Sequence, residues 1–197
     1  MKQPNYGKIG VNKGQQGIES IIDQVKSGHI QKYSVVIQKF EKKIYTYCYC
    51  ILKNREEAKD AVQEIFIKAY QDIERYENRL SFSAWLYKIA YHHCLDQIRK
   101  QSRWQKVVSL YMELQTRSHF RLNQYTLVDE LLSSLNREER NILLLKVVEQ
   151  YTFEEMAEIM SCNSTTLRKK FERLRKKLLH QKNQERGIGH EEIASSN

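Results

Sequence analysis

The chain has 197 residues, a net charge of +9 and a pI near 9.3. This length allows two small domains, and a basic surplus of this size favours a polyanionic partner such as nucleic acid. The opening residues lack a signal-peptide pattern and no long uncharged apolar run follows, so we expect a cytoplasmic protein without direct membrane insertion.

Glycine and proline are nearly confined to the ends of the chain. The only proline is Pro4, and no glycine lies between Gly28 and Gly187. Tight hairpins and phosphate-binding loops depend on glycine. The absence of glycine from this long stretch therefore argues against an α/β nucleotide-binding core. The sequence therefore predicts an all-α fold of two small helical bundles joined by a linker, the second containing a helix-turn-helix.

Apolar periodicity divides the chain into five segments. The predicted order is a mobile N-terminal tail at residues 1–17, a helical domain at 18–101, a linker at 102–125, a second helical domain at 126–183 and a C-terminal tail at 184–197.

The first domain is predicted to contain three or four packed helices. Gly28 suits the left-handed position after the first helix. Asn54 is placed to cap the third helix, and Ser81 or Ser83 is placed to cap the fourth after a break at residues 76–81. Apolar residues recur at intervals of three and four along each helix, which predicts a shared core.

The second domain carries two capping signals. Asn136 and Thr152 each precede a glutamate by three residues, the pattern of a capping box. The short helix that follows Thr152 leads through residues 161–163 into a basic helix beginning near Ser164. Two helices joined by so short a turn, the second basic, predict a helix-turn-helix whose second helix enters the major groove.

The basic helix has an apolar stripe that turns its charged residues outward. Arginine can donate paired hydrogen bonds to guanine, whereas lysine neutralises phosphates. Ser161 stands where a turn glycine is usual, at a cost of about 1–2 kcal/mol if its φ is positive. An ordinary solvated basic face is the alternative interpretation. The predicted DNA-reading residues are Ser164, Thr165, Arg168, Lys169, Glu172, Arg173 and Lys176.

Residues 30–182 resemble the extracytoplasmic-function (ECF) sigma factors, the two-domain members of the sigma-70 family of bacterial RNA polymerase. The resemblance rests on two sets of motifs in the family's order and spacing. The first set is NREEAKDAVQEIFIKAY at 54–70, SFSAWLYKIA at 81–90 and LDQIRK at 95–100; the second is LNREER at 135–140, YTFEEMAEIM at 151–160 and LRKKFERLRKKL at 167–178.

The resemblance implies a sigma factor that binds the beta and beta-prime subunits of core RNA polymerase, double-stranded and melted promoter DNA, and an anti-sigma factor. The helix-turn-helix would read the minus-thirty-five element. The helix of the first motif would dock on the polymerase clamp, although its polar face is also what any solvated helix shows. The implied docking residues are Asp60, Gln63, Glu64, Ile67 and Lys68.

The resemblance also implies that the loop at residues 76–82 and the helix after it melt and read the minus-ten element. An opened strand needs aromatic groups for its bases and cations for its backbone. Phe82 and Trp85 could instead belong to the core, and His92 stands where relatives usually carry asparagine. The implied residues are Arg79, Phe82, Trp85, Lys88, Tyr91, His92, Arg99 and Lys100.

Two other classes of protein compete with this interpretation. A helix-turn-helix regulator that does not exchange on core polymerase would explain the second domain only. A metal site or enzyme could be built on Cys48, Cys50, His92, His93, Cys94 and Cys162. It is disfavoured, because Cys48 and Cys50 point to different sides of one helix and buried, reduced thiols fit the cysteines better. We therefore expect no catalytic residue, metal or cofactor.

Overall fold

The computed structural model describes the backbone of residues 13–112, 132 and 134–194, and the side chains of residues 17–103, 132 and 134–181. Every regular element in these residues is helical, which confirms the all-α prediction. Contacts between Cα atoms divide the chain into two compact units, Met1–Arg121 and Leu122–Asn197. Among the residues described, no helix combines the length and apolar content that crossing a membrane requires.

Unit 1 is a bundle in which the second helix packs against both the third and the fourth. Its core holds large, fully buried side chains from every helix, including Ile22, Val36, Ile44, Ile65 and Leu86. Its elements are α1 (Lys13–Lys26), a 3-10 turn (Ile30–Lys32), α2 (Tyr33–Leu52), α3 (Arg55–Gln71), a 3-10 turn (Ile73–Arg75) and α4 (Phe82–Met112).

The helix ends of unit 1 follow the predicted caps. Gly28 has a φ of +96°. The Asn54 side chain accepts hydrogen bonds from the backbone N–H groups of Glu56 and Glu57, at 3.0 and 3.3 Å. Ser81 rather than Ser83 caps α4, because its hydroxyl accepts from the N–H of Ala84 at 3.2 Å. These caps satisfy donors that a helix leaves unpaired in its first turn.

Three helices are longer than predicted. Helix α1 begins at Lys13, within the segment predicted as a tail, and α4 continues to Met112, into the segment predicted as a linker. The last helix continues to Ala194, so residues 184–194 of the predicted C-terminal tail are helical. The added part of α4 contains no glycine or proline, which favours a continued helix, whereas the added parts of α1 and of the last helix include Gly14, Gly17, Gly187 and Gly189 and have no such explanation from helix propensity. The remaining tail and linker residues lie outside the described part of the chain.

Unit 2 contains α5 (Arg137–Leu143), a π-helical turn (Leu144–Val148), α6 (Phe153–Met160) and α7 (Ser164–Ala194). Both predicted capping boxes are present, Asn136 with Glu139 and Thr152 with Glu155. The π turn was not predicted. Its last residue, Val148, is 57 % exposed.

The predicted helix-turn-helix is confirmed as α6, a turn at residues 161–163, and α7. Ser161 lies in the left-handed region, with φ 51° and ψ 48°, so serine there carries the conformational cost considered from the sequence. The backbone N–H of Cys162 donates to the carbonyl of Ala157 at 3.0 Å and closes the turn. Leu167 and Leu174 are buried at 0 % and 2 % exposure and fix α7 on the unit.

Candidate nucleic-acid and polymerase interface

The outward side of α7 carries the residues predicted to read DNA, here called the reading face. Ser164 is half-buried and the other six are exposed. Asn163 caps the helix, because its side-chain oxygen accepts from the N–H of Thr165 at 2.8 Å. The face is mainly cationic, as a surface that approaches phosphates requires. Its members are Ser164, Thr165, Arg168, Lys169, Glu172, Arg173 and Lys176.

Two ion pairs hold α7 against α5. Lys170 pairs with Glu138, and Lys177 pairs with Glu139 at 2.9 Å. Partial burial opposes ionisation of Glu139, but Lys177 and the backbone N–H of Asn136 outweigh it and lower the pKa of the Glu139 carboxyl. Both lysines are half-buried between α7 and α5, and they lie outside the reading face.

Arg168 of the reading face contacts two residues of α6, Phe153 and Glu154. Its guanidinium carbon lies 4.9 Å from the ring centroid of Phe153, and its Nη2 lies 3.4 Å from Oε1 of Glu154. The Nζ of Lys146 lies 4.8 Å from the same ring centroid. Phe153 also packs against Phe171, with centroids 5.8 Å apart. The first helix of the motif thus contacts the second through this arginine.

One side of α3 carries the five residues predicted to dock on polymerase, here called the docking face. All five are exposed, and Ile67 is an apolar side chain with 58 % exposure. The opposite side of α3 is buried in unit 1. The face consists of Asp60, Gln63, Glu64, Ile67 and Lys68.

The residues predicted to contact the minus-ten element do not all share one surface. Trp85, Lys88, His92 and Arg99 recur at helical spacing on one side of α4, here called the α4 face, and the first three are half-buried. Desolvation, followed by the nearby charge of Lys88, lowers the pKa of His92. Tyr91 flanks this face, with its ring centroid 5.2 Å from that of His92.

Three of the predicted minus-ten residues lie elsewhere. Phe82 is 0 % exposed and packs between Phe40, Tyr76 and Trp85, so the prediction that it contacts DNA is corrected: it supports Trp85 from inside the core. Lys100 lines a groove shared with α3, away from the α4 face. Arg79 is exposed in the preceding loop and pairs with Glu77 at 2.7 Å.

Glu19 of α1 holds the loop before α4, a role that the sequence did not predict. Its carboxylate accepts from the backbone N–H of Phe82 at 3.0 Å and lies 2.7 Å from the hydroxyl of Tyr76. Burial, and then Glu19 itself, raises the pKa of Tyr76. Lys26 of α1 donates to the carbonyl of Tyr76 at 2.6 Å. No periodic pattern marks such contacts, since the partners lie 50 to 63 positions apart along the chain.

A groove of about 440 Å³ lies between α3 and α4 and connects the docking face to the α4 helix. His93 lines it, with Nδ1 3.8 Å from a carboxylate oxygen of Glu64. Burial lowers the pKa of His93 although Glu64 opposes the shift. Sequence reasoning missed His93, Asp96 and Gln97 as neighbours of the docking face, because only the packing of α4 against α3 brings them to it.

The four cysteines are free thiols. Cys48 and Cys94 are buried with their Sγ atoms 3.7 Å apart, and that contact together with burial raises the pKa of Cys48. Cys50 is also buried, but Cys162 is exposed in the turn of the helix-turn-helix, which corrects the expectation that all four lie in a core. In the part of the chain described, no three His, Cys, Asp or Glu side chains are grouped as metal ligands would be.

Comparison with known proteins identifies both units. The family model described as sigma-70 region 2 matches residues 36–103, and that described as sigma-70 region 4 matches residues 125–178. The ECF RNA polymerase sigma factor SigW of Bacillus subtilis is 27 % identical over 184 residues, covering 83 % of this chain and 96 % of the relative. The ECF RNA polymerase sigma-E factor of Haemophilus influenzae is 25 % identical, covering 80 % of this chain and 90 % of the relative.

Two solved structures share the fold. CnrH, solved with the cytosolic domain of CnrY, has a TM-score of 0.61 at 16 % identity and covers 83 % of this chain and 95 % of its own. The sigma factor RpoE of Bartonella quintana, solved with the anti-sigma factor NepR, has a TM-score of 0.62 at 20 % identity. The match covers 76 % of this chain and 96 % of the RpoE chain. The sigma-70 family is not a class of enzymes, and its regions 2 and 4 bind core RNA polymerase and promoter DNA. With both regions present in order over more than half its length, the chain belongs to the sigma-70 family, in the ECF group of sigma factors.

Proposed function

We propose that this sigma factor uses three separate surfaces to initiate transcription: the docking face for core polymerase, the α4 face for the opened minus-ten strand and the reading face for the minus-thirty-five duplex. The observation that carries the proposal is the match of regions 2 and 4 to two units that each turn charged residues outward. A regulator that works without polymerase exchange would leave the region 2 match unexplained.

On the reading face we assign base recognition to Arg168 and phosphate contact to Lys176. Arg168 is held near the start of α7, where a recognition helix meets base edges. Lys176 lies two turns further along on the same exposed side. An arginine that bonds guanine contributes about 1–3 kcal/mol of discrimination, whereas a phosphate contact strengthens binding to every sequence.

The test is selection of promoter fragments from a library randomised upstream of the start site, using holoenzyme reconstituted with each variant. Arg168→Ala should flatten the base preference at one or two positions, and Lys176→Ala should lower affinity uniformly and reduce the salt dependence. Equal, sequence-independent effects of both substitutions would refute the division of roles.

The docking face is proposed to bind the polymerase clamp through a polar rim around Ile67. Asp60→Ala and Gln63→Ala should weaken binding to core polymerase, because both side chains project from the exposed side of α3. Glu74→Ala is the matched control, since Glu74 is an exposed carboxylate on the same unit outside this face. Equilibrium binding to core polymerase without DNA measures the effect, and an equal loss in the control would contradict the assignment.

On the α4 face we propose that Trp85 and His92 stack on unstacked bases while Lys88 and Arg99 approach the backbone. Half-burial of Trp85 against Phe82 fixes the indole and leaves part of it accessible. Trp85→Ala should slow strand opening more than it weakens closed-complex binding, because stacking is available only to opened bases. Fluorescence of 2-aminopurine placed in the minus-ten element measures opening.

We further propose that the chain works in the cytoplasm, has no catalytic chemistry of its own and is held inactive by an anti-sigma factor. The support for the last point is that a fold relative was solved with an anti-sigma factor. Such a partner would cover the docking and reading faces. Affinity purification of the chain from uninduced cells should recover it, and recovery of core polymerase alone in every growth condition would contradict the proposal.

A further inference from the structure

We infer that Phe153 is a positioning residue for sequence recognition, which fixes the guanidinium of Arg168 before DNA arrives. The inference rests on the proposed role of Arg168 in base reading and adds a residue of α6 to which no DNA contact has been assigned. The ring of Phe153 is half-exposed, and the cationic groups of Lys146 and Arg168 both lie within 5 Å of its centroid, at 4.8 and 4.9 Å.

The ring itself is held from several sides. It packs against Phe171 of α7 at 5.8 Å. The Nζ of Lys146 is fixed in turn by donating to the carbonyl of Tyr151 at 2.9 Å. Thr152, the residue before Phe153, is the N-cap of a complete capping box. The position from which the ring contacts Arg168 is therefore set by backbone and core geometry rather than by a mobile side chain.

Arg168 has two partners that differ in kind. Its ion pair with Glu154 spans 3.4 Å between side chains that are 59 % and 66 % exposed, and such surface pairs are weak and easily exchanged. The contact with Phe153 uses the cation and a ring face, so it does not require the N–H groups that now face Glu154. A guanine edge could replace Glu154 as the hydrogen-bond partner while the ring contact persists.

Restricting Arg168 in this way should increase selectivity for the base it reads. An exposed arginine loses much rotamer freedom when it is fixed by a partner, and a preorganised side chain loses less. Selectivity benefits because the paired hydrogen bonds to guanine have narrow geometry, whereas a phosphate can be approached from many directions.

The test compares Phe153→Leu, Phe153→Tyr and Phe171→Leu in reconstituted holoenzyme, with promoter selection from the randomised library and with Arg168→Ala as reference. Phe153→Leu should reduce preference at the position read by Arg168 about two- to fivefold, the size expected of one exposed cation–π contact. Phe153→Tyr keeps the ring and should restore the preference. Phe171→Leu removes one support of the Phe153 ring but leaves that ring against Arg168, so it should reduce the preference by less than Phe153→Leu does.

Two readouts separate positioning from a structural role. The salt dependence of binding should be unchanged in Phe153→Leu, because no phosphate contact is lost. In the Arg168→Ala background, Phe153→Leu should have no further effect on base preference. An equal loss in Phe153→Leu and Phe171→Leu, or a uniform loss for all sequences, would overturn the inference. If Arg168→Ala itself leaves base preference intact, the proposed reading role fails instead, and the inference fails with it.

Discussion

Replacing Gln150 by glycine should stabilise unit 2. Gln150 follows the π turn with a φ of 60°, and the N–H of Tyr151 next to it donates to the carbonyl of Leu145 at 3.0 Å. A residue with a Cβ in the left-handed region costs about 1–2 kcal/mol, while glycine loses about 0.5–1 kcal/mol more backbone entropy on folding. The expected net gain is about 0.5–1 kcal/mol, or an increase in melting temperature of about 2–8 °C for a unit of this size.

The two tryptophans supply an internal control, because both occur within unit 1. Far-ultraviolet circular dichroism reports the unfolding of both units, whereas tryptophan fluorescence reports the unfolding of unit 1. The higher melting temperature should therefore appear in the dichroism and not in the fluorescence. Arg175→Gly introduces glycine at an exposed helical position of unit 2 and should destabilise it by about 0.5–1 kcal/mol. An unchanged or lower melting temperature for Gln150→Gly would refute the argument from backbone strain.

Three further outcomes are expected. Phe82→Ala should destabilise unit 1 by about 3–5 kcal/mol in urea unfolding, since it empties a fully buried site, and a loss below about 1 kcal/mol would contradict that burial. Only Cys162 should react rapidly with an aromatic disulfide reagent in the native state, whereas all four cysteines should react in urea; fast reaction of Cys48 would count against its burial and raised pKa. The free energy of unfolding of unit 1 should fall as pH drops below 6.5, because the unfolded chain protonates His93 before the folded chain does, and His93→Gln should show a smaller fall; a rise toward low pH would reverse the assigned pKa direction.

Local sequence patterns predicted the helix ends well. The side chains of Asn54, Asn136 and Thr152 cap helices as their spacing indicated, because a cap depends only on residues within four positions of one another. The sequence raised a positive φ at Ser161 only as a condition, because serine stands where a turn glycine is usual, and the structure gives it a φ of 51°.

Contacts between distant residues could not be predicted. Glu19 contacts the loop before α4 from 57 and 63 positions away along the chain, and nothing in its own surroundings distinguishes it from a solvated glutamate. The burial of Phe82 could not be predicted either, because an aromatic residue at a helix start suits both a core and a nucleic-acid surface. Its contact with the distant Phe40 decides for the core. Lys100 was assigned to DNA contact by motif alone, and only the packing of α3 on α4 shows that it lines the groove.

The most direct test of the account is transcription in vitro with purified core RNA polymerase, the full chain and genomic DNA, with mapping of RNA 5′ ends. Transcripts should start at discrete sites only when the chain is added, downstream of two shared sequence elements. They should disappear when the docking face carries Asp60→Ala and Gln63→Ala together. Start sites that are the same with and without the chain, or a chain that does not bind core polymerase, would contradict it.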